Sequence, residues 1–395
     1  MIELVNKSQC SGCSACFNAC KFDALTMVAD ETGFIFPKID QYKCMTCAAC
    51  VRACPALEKP EFQSVDAKAY VLQHKDYEIR KQSTSGGAFT GIAQQIIKQG
   101  GVVFGASIDK NFNVNHTWVD NEAGLYKFRN SKYVQSSIGL AYREAEKILK
   151  TGRTVCFSGT PCQIYGLKKY LGKEYANLLT VDVMCRAVPS PKILHKYLEY
   201  QKEKFPTFDK VFFRDKGRGY SYSGVALYDG NKVLYRGSSE SDPWLRLFLG
   251  GMCIRESCTQ CLFQKGTHAS DITLCDWWDV GEIDKSLDDN KGTTGLVLWT
   301  EKAKGLLKTI RPVFRIKEIE LEKLKDRIEK REAKRKDLGK DFYIDADKLS
   351  PSQFINKYAP VSGNVRIKRY VRLIIYKLHI HNTIRNVIHY LRKIK

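Results

Sequence analysis

Residues 10–20 read CSGCSACFNAC and residues 44–54 read CMTCAACVRAC, so Cys10, Cys13, Cys16 and Cys20 recur as Cys44, Cys47, Cys50 and Cys54, each displaced by the same 34 residues. Each copy has the spacing C-x2-C-x2-C-x3-C, and Pro55 follows the second. A structural zinc site uses four ligands in two pairs, usually with a longer gap between them. A disulfide framework belongs to small secreted domains. Neither accounts for three closely spaced thiols with a fourth behind them, repeated whole.

The spacing is that of bacterial two-cluster ferredoxins. Three close thiolates wrap three corners of a 4Fe-4S cubane, and the fourth cysteine crosses to the other cluster. One cluster is therefore assigned to Cys10, Cys13, Cys16 and Cys54, the other to Cys44, Cys47, Cys50 and Cys20. Lys21 stands where the pattern usually has proline, which loosens a turn but removes no ligand. Between the combs, ALTMVADETGFIFPKID alternates like a hairpin around Asp30–Gly33. Residues 1–60 are expected to be an α+β, ferredoxin-like domain that moves electrons singly, with residues 56–66 as a linker.

A chain of 395 residues should hold two or three domains, and its 44% hydrophobic content is ordinary for globular cores. No apolar run of 18 residues is present, so no spanning helix is predicted. The start, MIELVNKSQC, has no apolar signal region. Fifteen cysteines without a secretion signal imply a reducing compartment and ligation, and the cytoplasm is expected. The net charge of +21 is uneven: residues 1–62 carry six Lys/Arg against seven Asp/Glu, and residues 301–395 carry 26 against 11. A basic end suits an acidic protein, nucleic acid or an anionic membrane surface, or is simply a solvated helix.

Beyond the linker, strand and helix patterns alternate. Strands are predicted at 69–74, 102–107, 154–159, 178–183, 272–277 and 296–300. Helices are predicted at 87–98, 138–150, 161–170 and 191–205, the last two opened by Pro161 and Pro191. Residues 209–237, richer in aromatic and β-branched residues, read as antiparallel strands. This is an α/β core with mixed sheets. Residues 318–340 are charged on nearly all sides, 341–363 look irregular, and the last thirty are helical in pattern.

Seven cysteines lie outside the combs. Cys156 and Cys275 sit in apolar strand patterns and read as small buried hydrophobes. Cys162 follows Thr160 and Pro161, a candidate N-cap and N1 pair, and a thiolate is favoured in a first helical turn. Cys185 ends a buried strand, and Cys258 and Cys261 form a C-x2-C in a turn-like segment. Together these four can supply a third site. Zinc and iron–sulfur both remain open from spacing, and Cys253 is an alternative ligand. Separately, STSGG (83–87) enters a helix, so Ser85, Gly86 and Gly87 are candidate phosphate contacts, although a plain cap explains them equally. Lys132, Tyr133 and Ser136 in NSKYVQSS offer polar groups for a phosphate or ring edge. The G-x-G-x-x-G fingerprint of a nicotinamide site is absent.

Taken in order, STSGGAF (83–89), NSKYVQSS (130–137), SGTPCQIYGLKKYL (158–171), MCRAVPSP (184–191), SCTQCLF (257–263) and SDITLCDWWDVGE (270–282) resemble the coenzyme F420 hydrogenase/dehydrogenase beta-subunit family. The resemblance covers residues 68–317, behind the fused ferredoxin comb. It implies an FAD-binding core, with Ser85, Gly86, Gly87, Lys132, Tyr133 and Ser136 in the flavin-contacting segments. It also implies a third 4Fe-4S cluster on Cys162, Cys185, Cys258 and Cys261. Cys275 departs from the family, whose members usually carry glycine there. Some relatives resemble ferredoxin-fed reductases of chlorophyll-type pigments, others accessory oxidoreductases of polysaccharide assembly.

The expected function is an iron–sulfur flavoprotein oxidoreductase passing electrons through its clusters to FAD and a small-molecule or glycan-linked substrate. Its partner would be a redox protein or ferredoxin. The alternative is an electron-transfer subunit with no substrate of its own. No nucleic acid is expected. Asp271, Asp276 and His268 are the only candidate acids, and lone polar residues near a strand are more often structural, so the catalytic residue is left unknown. In residues 318–395 the final stretch from 357 has ten Lys/Arg and no Asp/Glu. Ile367, Val371, Ile374 and Leu378 recur at helical spacing, with Arg366, Arg369 and Arg372 largely opposite. Ile384, Val387, Ile388 and Leu391 resume the pattern after a break near His381–Asn382. Two outcomes are expected equally: packing on the protein's own core, or peripheral contact with an anionic membrane.

Overall fold

The computed structural model describes residues 2–58, 66–263, 269–324, 333–339 and 341–378. Most of the predicted linker and His268 lie outside these residues. So do residues 325–332 and 340 of the charged 318–340 segment, and the second apolar set of the tail.

The N-terminal unit is built around the two combs. Short helices, Ala15–Ala19 and Ala49–Arg52, follow the third cysteine of each set or contain it. A hairpin joins them, pairing β1 (Leu25–Ala29) with β2 (Ile35–Ile39). Its turn forms because the Asp30 side chain accepts from Thr32 N–H at 2.9 Å, and Gly33 takes a φ of +79° that favours glycine.

The core is one eight-stranded sheet. Its strands are β3 (Lys68–His74), β4 (Val102–Ile108), β5 (Val114–Val119), β6 (Val155–Gly159) and β7 (Leu178–Val183). Three further strands, β8 (Lys210–Asp215), β9 (Gly224–Asp229) and β10 (Lys232–Gly237), form a separate antiparallel sheet. The main sheet is completed by β11 (Ile272–Asp276), β12 (Thr294–Leu298) and β13 (Phe314–Ile319), in the order β13-β3-β12-β11-β7-β6-β4-β5. The central strands β4, β6, β7 and β11 are parallel to their neighbours within that group, while the flanking strands are antiparallel. Val103, Cys156, Val181 and Ile272 are wholly enclosed, as expected for parallel strands covered on both faces. The parallel arrangement places the carboxyl ends of β6, β7 and β11 on one edge, where open α/β sheets bind ligands.

The predicted elements occur close to their expected places, with additions. β5, β13 and the helices Tyr77–Gln82 and Pro243–Leu249 were not anticipated. Residues 341–363 are largely helical rather than irregular. Asp341–Lys348 and Pro351–Tyr358 are helices, the second opened by Ser350 with its N-cap bond to Gln353, and Phe342, Phe354 and Ile355 are buried in the core. Each is only two turns long, too short for apolar spacing to announce.

The helix Gly363–Lys377 has no buried residue. It touches the body through an Arg372–Glu240 ion pair at 2.5 Å and a stack of Tyr376 on Tyr222. Its apolar stripe faces outward, with Ile367 62% and Tyr370 70% exposed and Val371, Ile374 and Leu378 exposed beside them. The described part of the stripe does not pack on the core.

Candidate functional site

The N-terminal cysteines fall into two groups by position. The charges of Cys10, Cys13 and Cys54 act on the Cys16 thiol, which burial chiefly holds well above its ordinary pKa. Burial likewise raises Cys50, with Cys44 and Cys20 as the neighbouring charges. Cys20, Cys44, Cys47 and Cys50 line one open pocket walled by Ile2, Leu25, Ile39 and Met45. The grouping crosses the two combs, as Cys54 joins the first three cysteines and Cys20 the second three. Cys47 is exposed, and Tyr42, Met45 and Phe22 are exposed nearby in sequence.

The third group assembles at the sheet edge. Cys162 lies three residues beyond β6, in the first turn of the helix Pro161–Leu171. Thr160 N–H donates to Gln163 Oε1 at 3.0 Å, which fixes that helix start. Cys185 lies two residues beyond β7, the strand paired with β6. The C-x2-C arrives through backbone pairing. Ser190 N–H donates to Cys253 O at 2.8 Å and Arg255 N–H to Val188 O at 2.9 Å, laying segment 253–258 along the loop after Cys185. Burial pushes the Cys185 thiol well up, and its neighbouring charges are Cys258, Cys162 and Cys261. Cys258 is pushed up to about 12, chiefly by burial, with Cys162 and Cys261 adding to it.

Four thiols sharing a buried space repel as anions, and a metal centre reverses that balance by binding the thiolates. Among the described residues, no group of three or more His, Cys, Asp or Glu closes on the space of a single ion. Cubane ligands sit on separate irons and stand wider than that. All-thiol donor sets of this kind are open to zinc and to iron–sulfur clusters alike.

Cys253 and Cys275 sit elsewhere. Cys253 is fully enclosed in the apolar core, and no cysteine is among the groups that act on its thiol. Cys275 pairs across the sheet with Gly295, and a Cβ on that glycine would stand 2.6 Å from the Cys275 sulfur. The glycine opposite thus makes room for the thiol that departs from the family pattern.

The first and third groups adjoin. Cys162 and Cys10 are the neighbouring charges acting on the Cys13 thiol, which burial pushes up to about 12. Two arginines hold the N-terminal unit on the core. Arg143 Nε donates to Asn18 O at 2.8 Å, and its Nη2 to the carbonyls of Phe17 and Cys20. Arg255 Nε donates to Cys10 O at 2.7 Å and its Nη2 to Ile35 O at 3.0 Å.

The proposed flavin residues form two facing loops, joined by a Thr84–Ser131 hydroxyl contact at 2.9 Å. Gly86 N–H donates to Thr294 Oγ1 at 2.8 Å, and Ser85 Oγ meets the same oxygen at 2.8 Å. Gly87 adopts a φ of +83° at the helix start. Lys132 Nζ donates to Lys127 O and Arg129 O, and burial pulls its pKa down to about 7. Ser136 Oγ accepts from Gln163 Nε2 at 3.0 Å. Tyr133 OH accepts from Arg214 Nη1, also at 3.0 Å.

Arg214 was not anticipated, and it centres a buried polar group. Its Nη1 also meets Asp276 Oδ2 at 3.0 Å, and its guanidinium lies 4.7 Å from the Trp278 ring. Tyr220 donates to Asp276 Oδ1 at 3.0 Å and stacks on Trp278 at 4.2 Å. Burial opposes the Arg214 charge, but Asp276 and the Tyr133 and Tyr220 phenols hold its pKa above the ordinary value. Arg214 Nη2 is buried without a hydrogen-bond partner among the described residues. Such an atom in a built polar site suits an anionic or carbonyl-bearing ligand. Lys216, brought down to about 7 by burial and then Arg80, donates to Ser85 O at 2.7 Å. Of the candidate acids, Asp271 is a fold residue. Its Oδ2 accepts from Thr180 N–H and Oγ1, both at 2.7 Å, and its Oδ1 from Thr300.

Residues 9–57 match the 4Fe-4S dicluster domain. The chain is an iron–sulfur redox protein. Residues 152–326 match the C terminus of the coenzyme F420 hydrogenase/dehydrogenase beta subunit, so the chain carries a domain of that family behind the dicluster unit. Among solved structures, a chain of the xenon-derivatised F420-reducing NiFe hydrogenase complex from Methanosarcina barkeri is similar at 16% identity, over 68% of this chain and 90% of that one, with a TM-score of 0.47. No curated protein matches the chain. No helix among the described residues is long and apolar enough to cross a membrane.

Proposed function

We propose that the chain is an FAD-dependent oxidoreductase fed by a three-cluster relay. The ligand sets are Cys20, Cys44, Cys47 and Cys50 at the surface, then Cys10, Cys13, Cys16 and Cys54, then Cys162, Cys185, Cys258 and Cys261. Each set, once loaded, takes and releases one electron. The observation that carries this reading is the adjacency of Cys13 and Cys162. It supports continuity between the first comb set and the sheet-edge set, which electron passage needs. Exposed Cys47, with Met45 and Tyr42 around it, supports entry from a redox partner at the surface set.

The flavin reading is supported by Arg214 with its unpartnered Nη2 and by the facing loops at 83–87 and 130–136. FAD bound there would accept single electrons and release them in pairs. Arg214 and Lys132 would hold its anionic and carbonyl groups, with Lys216 fixing the first loop through Ser85 O, while Trp278 and Tyr220 provide an aromatic wall. Anaerobic purification with iron, sulfide and flavin counted per chain tests this. About twelve irons and one FAD are expected from three cubanes. Bound zinc without flavin would overturn the reading. Three cubanes without flavin would leave an electron-transfer subunit.

We also propose that the helix Gly363–Lys377 rests on an anionic membrane surface. The supporting observation is its outward apolar stripe, flanked by Arg366, Lys368 and Lys377.

A further inference from the structure

Arg255 is among the largest side chains lying wholly inside the molecule, only 1% exposed. Its Nε donates to Cys10 O at 2.7 Å, Nη1 to Gln135 Oε1 at 2.9 Å and Nη2 to Ile35 O at 3.0 Å. The guanidinium lies over Phe36 at 4.2 Å and Phe34 at 5.2 Å. Among the described residues, none of these partners carries a negative charge. A buried guanidinium with only neutral partners is stabilised by an anion beside it. Cys258 N–H donates to Arg255 O at 3.1 Å, so the residue that carries this guanidinium also opens the turn that bears Cys258 and Cys261. On its other side Arg255 grips the carbonyl of Cys10. It therefore stands between the first comb set and the sheet-edge set. Among the described residues, none of these Arg255 contacts goes to Cys20, Cys44, Cys47 or Cys50 of the surface set.

We propose that Arg255 is a fixed counter-charge shared by the clusters of the first comb set and the sheet-edge set, raising the reduction potentials of both. The proposal rests on the three-set reading above. A thiolate-held cluster gains one negative charge when it accepts an electron, with no bond made or broken. A cation held nearby in a medium poorer than water stabilises the reduced form more than the oxidised form. Arg255 thus acts through the clusters as a positioning residue for charge. It evens the relay at the step where electrons cross from the N-terminal unit into the core.

The test is a mediated dithionite titration of the full anaerobic chain followed by electron paramagnetic resonance. Signals are assigned with Cys47→Ser for the surface set and Cys185→Ser for the sheet-edge set. Dithionite supplies one electron to each cluster. In Arg255→Gln, iron content should stay at the wild-type level. The first and third clusters should become harder to reduce by at least tenfold in equilibrium, about 59 mV for one electron, with the surface cluster unmoved. Arg255→Lys should recover most of the shift because it keeps the charge. Gln135→Glu neutralises Arg255 in place, and should produce the same downward shift even if Arg255→Gln fails to fold. Unchanged potentials in Gln135→Glu, equal shifts in all three clusters, or equal shifts in the Gln and Lys variants would overturn the proposal. Wild-type protein free of iron and sulfide would instead overturn the underlying three-set reading.

Discussion

Replacing Gly86 with alanine separates a backbone role for the glycine pair from a ligand role. A Cβ there would stand 2.6 Å from Thr294 N and 2.9 Å from Thr294 Oγ1, and closer still to Leu72 O. Thr294 and Leu72 are paired residues of β12 and β3 inside the main sheet. Thr294 N would have to retreat about 0.8 Å to reach ordinary contact at 3.4 Å, and a paired strand cannot do so alone. Overpacking of this kind costs about 1–3 kcal/mol. The shift also loosens the Gly86 N–H bond to Thr294 Oγ1 and the 2.7 Å bond from His74 N–H to Gly86 O, each worth about 1 kcal/mol. The expected loss is about 3–5 kcal/mol. In Gly87→Ala the tightest contact is His74 Cβ at 3.0 Å, with Ile79 and Ser83 side chains at 3.5 Å, and the chief cost is the left-handed backbone penalty of about 1–2 kcal/mol. Urea unfolding followed by circular dichroism should show the midpoint of Gly86→Ala falling by more than about 1 M, with Gly87→Ala much closer to wild type. A Gly86→Ala midpoint near wild type, or equal damage in both variants, would refute the steric argument. Flavin loss at an unchanged midpoint would mean the glycine serves a ligand.

Cys47→Ser should lower the iron count by about one cubane of three, leaving flavin content unchanged, because the surface pocket is lined by residues of the N-terminal unit alone. Burial holds the His116 pKa down to about 4, with its Nε2 3.0 Å from Ser158 O. The folded ring stays neutral while the unfolded ring binds a proton below about pH 6.5, so its contribution is complete above that pH and lost toward pH 4. Between pH 7.5 and 5.5, His116→Gln should therefore be less pH-sensitive than wild type by about 1.3 kcal/mol in urea unfolding. In sedimentation with anionic vesicles at low salt, the full chain should pellet and a chain ending at Pro360 should not. Equal pelleting of the two would remove the membrane proposal.

The legible parts of this molecule are those with short-range signals. The comb spacing, the Asp30–Gly33 turn, the Thr160–Pro161 helix start and the strand 178–183 all announce themselves within a few residues. The grouping of Cys162 with Cys185, Cys258 and Cys261 depends on strand order and on the pairing of segment 253–258 with 188–190. Family resemblance implies it, and spacing alone leaves zinc open. The arginines were illegible. Arg143, Arg214 and Arg255 are three among 64 Lys/Arg, and only the fold distinguishes those that turn inward. For Arg255 a faint signal existed, a cation three residues before a C-x2-C. The glycine pair had two readings, and the approach of Gly86 to Leu72 and Thr294 supplies a steric reason that sequence could not show.

The Arg255 bridge to Cys10 also sets a timetable. Its two ends are 245 residues apart, so on a ribosome adding about 5–20 residues per second the N-terminal unit emerges roughly 12–50 s before its clamp exists. During that interval the comb cysteines are synthesised but undocked. Until docking, Cys13 is open to factors that would deliver iron and sulfide; in the folded chain it is buried. The chain's maturation is thereby ordered in time: the comb can be loaded during synthesis, whereas the sheet-edge set is complete only after Cys261 is made.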